Sequence, residues 1–221
     1  MSGEVSQRFE QANAVATSAS DSLAEVLRKL CDDASCKPTD ATSGTSKTQL
    51  NADSIELVNH GQVKHMVLPP KWEEGTAEYG TVGNSSFRQF HPPGDPDVRL
   101  CFYFRGRRMG DDAAQQFRAI LDKPPHALTQ SEIKSLGELL RDKKRTEDFS
   151  MLGARTVDMN GKRVLVVEGR YNKIQEDTQE IFVDSDRTGK FVQEIFYQAP
   201  RASYPRYLKM ARTALNSIEW Q

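Results

Sequence analysis

Two short runs of basic residues are the binding candidates in this sequence. Arg105, Arg107 and Arg108 follow an alternating apolar segment, and the run 141–145 holds four more cations. Guanidinium and ammonium groups can hold a phosphate or an acidic partner through charge-assisted hydrogen bonds. Solvated loops and cations at a helix C-terminus explain such runs as well. We predict that Arg105, Arg107 and Arg108 form a binding surface.

Metal sites are not supported by local spacing. The segment 184–189 spaces oxygen-bearing residues and a glycine as a calcium loop does, but the twelfth position, which needs a bidentate Glu, is Ile195. A hairpin turn explains this segment better. The four histidines show no zinc spacing; they are His60, His65, His91 and His126. We predict no metal and no cofactor.

Catalytic motifs are also missing from the sequence. It contains no GxSxG elbow, no Walker A loop and no dinucleotide fingerprint. Glu168, in an apolar segment, could be a carboxylate with a raised pKa, or it could pair with Arg163 or Arg170. Cys101 is expected to pack within a strand. These features favour a binding protein over an enzyme.

Composition favours a chain with a single apolar core that lies in the cytoplasm. Apolar residues make up 37% of the 221 residues, against about 45–50% in typical globular domains. A net charge of −1 gives no global attraction to nucleic acid or an anionic membrane. Three cysteines form no disulfide framework. The opening residues do not resemble a secretory signal, so we expect a cytoplasmic protein.

The chain divides by composition into an arm and a domain. The pattern of residues 1–50 predicts one short amphipathic helix, around 22–31, and a Ser/Thr-rich stretch that cannot bury enough apolar surface to fold. Residues 51–62 are transitional. A single α+β domain is predicted over 63–221.

Strong local signals define the elements of this domain. Residues 97–104 alternate as a strand, and Asn160-Gly161 predicts a hairpin between 151–159 and 162–171. A second hairpin joins 178–184 to 190–198 through Gly189. Since 164–167 are apolar on both faces, helices should lie on both sides of the sheet. Helices are predicted after Asp111, after the capping box 129–132, and over 203–218.

The element order and a few short phrases resemble a known fold family. The phrases are Val67-Leu-Pro-Pro-Lys-Trp72, Val192-Gln-Glu-Ile-Phe-Tyr197 and the ending Ser217-Ile-Glu-Trp220. They resemble the fold shared by the PsbP proteins of photosystem II and the Ran-binding Mog1 proteins, over about 63–221. The resemblance implies an antiparallel sheet between helices, an α/β/α sandwich, and a role as a binding or assembly factor. It transfers no site residues.

Two other function classes stay open. A helix-grip domain would enclose an apolar ligand between a curved sheet and its C-terminal helix, and would need a large cavity. An enzyme would need polar groups from several strands to converge. We predict a non-enzymatic protein that acts through an unidentified protein partner.

Overall fold

A computed structural model describes residues 54–76, 86–104, 108–140 and 148–221, all within the compact unit Gln49–Gln221. The predicted helix at 22–31, the basic run 141–145, Arg105 and Arg107 lie outside the described residues. Within these ranges, no helix is long and apolar enough to cross a membrane.

An antiparallel seven-stranded sheet forms the centre of the unit. In chain order its strands are β3 (Glu73–Glu74), β4 (Ser86–His91), β5 (Arg99–Phe104), β6 (Phe149–Met159), β7 (Lys162–Tyr171), β8 (Glu176–Asp184) and β9 (Val192–Pro200). In space the order is β3-β4-β5-β9-β8-β7-β6. The antiparallel α+β class predicted from the sequence is confirmed.

Both predicted hairpins are present in this sheet. Asn160 and Gly161, between β6 and β7, have φ values of 50° and 81°, as a two-residue hairpin turn requires. Gly189, between β8 and β9, has φ of 75°. β7 pairs with β6 and β8, and β8 pairs with β9. The turn chemistry therefore predicts four consecutive strands correctly.

A smaller sheet contains strands from both ends of the unit. It consists of β1 (Glu56–His60), β2 (Val63–Val67) and β10 (Glu219–Trp220), in the order β1-β2-β10. Leu57 in β1 is fully buried and belongs to the core. The core thus extends upstream of residue 63, into the segment that composition left as transitional.

Three helices are described: α1 (Asp111–Leu121), α2 (Gln130–Ser135) and α3 (Tyr204–Leu215). The N-cap of α1 is Gly110 rather than Asp111, which lies in the first turn. Ser203 occupies the N-cap of α3, but its side chain makes no capping hydrogen bond. An exposed acidic residue in the first turn complements the helix dipole, so Asp111 stabilises α1 without capping it.

The predicted capping box begins α2. Thr129 Oγ1 accepts from the backbone N–H of Glu132 at 3.3 Å, and the Thr129 N–H donates to Glu132 Oε2 at 2.8 Å. Lys123 Nζ lies 2.7 Å from Glu132 Oε1. The Lys123 ammonium, followed by the Thr129 donors, lowers the pKa of Glu132 well below its usual range. The carboxylate therefore stays ionised.

Alternate residues of β7 enter two different apolar cores. Val164 and Val166 pack with Ala211 and Leu215 of α3, and the small sheet joins this core. Leu165 and Val167 pack in a second core with Phe117 of α1. Buried side chains of the first core lie where α3 meets the strands.

Candidate functional site

Four arginines surround two carboxylates on the side of the sheet that contacts α3. Glu168 and Arg170 follow Val166 at alternate positions of β7, so all three share a face. The pairing places Gln179 opposite Glu168 and Asp177 opposite Arg170. We call this set the arginine surface; it comprises Arg155 of β6, Glu168, Arg170, Asp177, Arg201 between β9 and α3, and Arg212 of α3.

The first half of the arginine surface is centred on Glu168. Arg155 Nη2 donates to Glu168 Oε1 at 3.0 Å, and Arg212 Nη2 lies 3.5 Å from the same oxygen. Arg212 Nε donates to Gln179 Oε1 at 3.2 Å. One carboxylate therefore holds two guanidinium groups, one from the edge strand and one from the helix.

The second half repeats this arrangement around Asp177. Arg170 donates through Nε and Nη2 to the two oxygens of Asp177, at 2.8 and 3.2 Å. Arg201 Nε lies 3.6 Å from Asp177 Oδ1, and its Nη2 donates to Asn172 Oδ1 at 3.3 Å. Two Arg–carboxylate–Arg triads thus lie next to each other on the sheet.

The charge that these triads present to solvent is positive. Arg155 and Arg212 are 40% and 45% exposed, whereas Glu168 between them is 30% exposed. The contrast is larger at Asp177, which is 16% exposed beside arginines at 38% and 33%. Contacts with described residues use the Nε and Nη2 groups, which leaves the Nη1 groups of all four arginines available.

Two tyrosines lie beside the arginine surface. The rings of Tyr197 and Tyr204 are 4.9 Å apart, and Tyr197 Oη donates to the backbone oxygen of Tyr204 at 2.9 Å. Burial raises the pKa of Tyr204, and the Glu168 carboxylate raises it further. A phenol in this state remains protonated at neutral pH, so Tyr204 cannot serve there as a base.

Exposed aliphatic side chains lie close to the same residues along the chain. Leu152 is 61% exposed and precedes Gly153, which pairs with Glu168 across the β6 irregularity. Ile174 is 57% exposed in the turn that also contains Asn172. Arginine is among the residues that are enriched in protein interfaces.

Of the predicted binding residues, only Arg108 can be placed. Its Nη2 donates to Asp111 Oδ1 at 3.0 Å, and Lys190 Nζ lies 2.9 Å from the same oxygen. These hydrogen bonds, the Lys190 one first, lower the pKa of Asp111. Arg108 is 55% exposed and borders α1. Arg105 and Arg107 lie outside the described residues, so the basic loop stays a prediction.

A shallow cavity of about 420 Å³ lies between α1 and the β8–β9 turn. Charges of both signs line it, and they already pair with each other: Arg118 with Asp122 at 2.6 Å, and Lys190 with Asp111 at 2.9 Å. The pairing leaves no excess charge to select a ligand.

The segment resembling a calcium loop is a turn held by its own aspartate. Asp184 Oδ1 accepts from the backbone N–H groups of Gly189 and Asp186, at 3.0 and 3.3 Å, and Oδ2 accepts from Arg118 at 3.2 Å. Burial raises the pKa of Asp184. In the described part of the chain, no three His, Cys, Asp or Glu side chains are grouped to hold a metal ion.

Two sequence interpretations concern single residues. Glu168 does pair with arginine, but the predicted partners were wrong: Arg163 binds Asp158, and Arg170 binds Asp177. Cys101 is buried as expected, and this burial raises the pKa of its thiol to about 12. A thiol with such a pKa is a poor nucleophile.

Sequence reasoning missed the arginine surface, although one signal pointed to it. Residues 195–218 contain Arg201, Arg206, Lys209 and Arg212 and no acidic residue. An amphipathic helix with cations alone on its outer face differs from the mixed charge of the whole chain. This asymmetry could have identified α3 as a basic face.

Comparisons with known proteins concern the fold alone. No family model matches the chain, and no curated protein is significantly similar to it. A solution structure of cyanobacterial PsbP (CyanoP) from Synechocystis sp. PCC 6803 has a TM-score of 0.49 at 12% identity, covering 84% of this chain and 100% of that one. A protein of unknown function from Pseudomonas aeruginosa has a TM-score of 0.40 at 10% identity, covering 75% and 96%. A PsbP structure is thus among those this chain resembles, as its element order predicted; the likeness carries no information on function.

Proposed function

We propose that this protein is a non-enzymatic binding factor that holds an acidic protein partner on the arginine surface. One observation carries the proposal: four guanidinium groups surround two carboxylates and are more exposed than those carboxylates. The net charge of the whole chain is −1, so this excess of positive charge is local. Guanidinium groups recognise carboxylates through paired hydrogen bonds.

A protein partner fits the surface better than a nucleic acid does. Glu168 and Asp177 lie between the arginines, so the positive charge is interrupted and does not follow a continuous phosphate backbone. Single-stranded nucleic acid also needs aromatic faces for base stacking. Leu152 and Ile174, which are exposed and close to these residues along the chain, suit aliphatic side chains of a protein.

The proposal includes a three-layer arrangement with helices on both faces of the sheet. The two apolar cores support it, because alternate residues of β7 pack with α3 in one core and with α1 in the other. The arginine surface would then lie on the α3 side. Arg108 borders α1, and Arg105, Arg107 and Arg108 would provide a second, separate contact.

The test is an affinity pull-down from the native source with variants that separate these surfaces. Arg155→Gln with Arg201→Gln removes one guanidinium from each triad of the arginine surface. Arg88→Gln with Lys64→Gln removes the same charge from exposed ion pairs elsewhere. A third variant replaces Arg105, Arg107 and Arg108 with Ala.

We expect the first variant to lose an acidic partner that the control retains. Two contacts of roughly 1 kcal/mol each correspond to about thirtyfold weaker binding. Recovery should also fall as salt rises. Equal recovery of the partner by the first variant and the control would refute the proposal that the arginine surface binds this partner. If nuclease treatment abolished recovery, the arginine surface would be assigned to nucleic-acid binding. Turnover of a small molecule without any partner would overturn the proposed binding function.

A further inference from the structure

The outer face of α3 carries positive charge alone. Its sequence, Tyr204–Leu215, contains three cations and no acidic residue. The cations are Arg206, Lys209 and Arg212, and all three are exposed. We call them the α3 row. Because Arg212 also belongs to the arginine surface, the α3 row begins at that surface and continues the positive charge along the helix.

Helix geometry determines the course of the α3 row. Residues three apart are adjacent on a helix surface, and each such step advances about 4.5 Å along the axis and turns about 60° around it. Arg206 and Arg212 are therefore about 9 Å apart along the axis. The buried residues of α3 lie on the side opposite Lys209. The row thus runs from the flank of the helix, at Arg212, across its solvent side to Arg206.

This arrangement opposes the local electrostatics of a helix. Like charges three residues apart repel each other, and Arg206 lies in the first turn, where the helix dipole favours anions. Neither Arg206 nor Lys209 forms an ion pair with a described residue. The Arg206 Cζ atom lies 4.9 Å from the centre of the Tyr207 ring. Charges that cost helix stability and have no compensating partner in the described fold are expected where a protein binds a ligand.

The chemistry of this face suits an acidic protein segment. The exposed large apolar side chain of α3 is Met210, at 38%, which is too little apolar surface for insertion into a membrane. Tyr204 and Tyr207 are half-buried, and the Arg206 guanidinium lies over the Tyr207 ring, so the helix offers no open aromatic face for stacking of nucleic-acid bases.

We propose that the acidic segment of the partner extends from the arginine surface along the α3 row, so that Arg206 and Lys209 bind carboxylates of the segment that also contacts Arg212. This inference rests on the proposed function, because it specifies how far the contact of that site extends. Carboxylates beside α3 would screen the repulsion within the row and supply the anions that the first turn lacks.

Titration of the full chain with a decaglutamate peptide tests this inference. The α3 variant, Arg206→Gln with Lys209→Gln, removes the two cations of the row that lie outside the arginine surface. Arg88→Gln with Lys64→Gln is the matched control, because it removes one arginine and one lysine from ion pairs elsewhere. An oligo(dT) decamer and phosphatidylserine vesicles are the competing ligands. Thermal melting of each variant is recorded as well.

We expect the α3 variant to bind decaglutamate about fivefold more weakly than the control, because two exposed ion pairs are lost. Its melting temperature should be unchanged or slightly higher, since repulsion within the helix is relieved. Equal binding of decaglutamate by the α3 variant and the control would overturn the inference. A clear fall in the melting temperature of the α3 variant, or tighter binding of oligo(dT) or vesicles than of decaglutamate by the unmodified chain, would also overturn it.

The failure of this inference can be distinguished from the failure of the proposed function. If Arg155→Gln with Arg201→Gln weakens binding of decaglutamate and the α3 variant does not, the site is confined to the arginine surface; the extension along α3 is then wrong and the proposed function stands. If recovery of the partner in the pull-down does not depend on the arginine surface, the proposed function itself is refuted.

Discussion

Replacing Gly189 with Ala should destabilise this protein through two separable effects. The residue has φ of 75°, a left-handed conformation that costs an L-residue roughly 1–2 kcal/mol. An added Cβ would also lie 2.4 Å from the backbone oxygen of Ala114 in α1. Because that atom belongs to a helix backbone, the β8–β9 turn or the helix must move. Overpacking of this kind costs about 1–3 kcal/mol.

Three other glycines isolate the two effects. Gly161 has φ of 81° and open space around its Cβ position, so Gly161→Ala should cost only the conformational 1–2 kcal/mol. Gly169 has ordinary φ, but its Cβ would lie 2.0 Å from Phe149 Cζ, so only overpacking applies. Gly153 has neither feature, and Gly153→Ala should be neutral or stabilise by about 0.4–1 kcal/mol.

Denaturant unfolding of the four variants, followed by the fluorescence of buried Trp72, measures these costs. The expected loss for Gly189→Ala is the sum of both effects, about 2–5 kcal/mol, a large share of the 5–15 kcal/mol typical of a domain. A loss within 0.5 kcal/mol of that for Gly161→Ala would show that α1 does not restrict this turn. The argument that an added Cβ at residue 189 would clash with the backbone oxygen of Ala114 would then be wrong.

Three further predictions concern pH, reactivity and the arm. The folded pKa of Glu132 lies below its unfolded value, so the ionised carboxylate stabilises the fold above about pH 4.3 and this contribution is lost as pH falls towards the folded pKa. Glu132→Gln should therefore lower stability in urea unfolding more at pH 7 than at pH 3, where part of the contribution is already lost; an equal loss at both would contradict the ionic role. Because Cys101 is buried with a pKa of about 12, a Cys31→Ser/Cys36→Ser variant should react with a thiol reagent at pH 8 only as fast as it unfolds, and rapid native labelling would disprove this. Deleting residues 1–50 should leave the calorimetric melting temperature nearly unchanged, whereas a large drop would show that the arm docks on the domain.

Local chemistry predicted the elements that depend on neighbouring residues. The Asn160-Gly161 turn and the Thr129 capping box are complete within a few residues, and both are present. Predictions were less accurate at helix starts, because Gly110 rather than Asp111 caps α1. Strand β1 was missed, since its burial depends on Leu57 meeting a core built from segments far along the chain. Such burial has no local signal.

The arginine surface shows most clearly what only the tertiary structure decided. By itself the sequence determined the antiparallel α+β class, two hairpins and an arginine partner for Glu168. Arg163 was excluded as that partner because residues 163 and 168 are an odd number apart on β7, so their side chains point to opposite faces. Arg170 shares the face of Glu168 but lies directly opposite Asp177. Arg155 and Arg212 reach Glu168 only because β6 and α3 pack beside β7, and this register depends on the core as a whole.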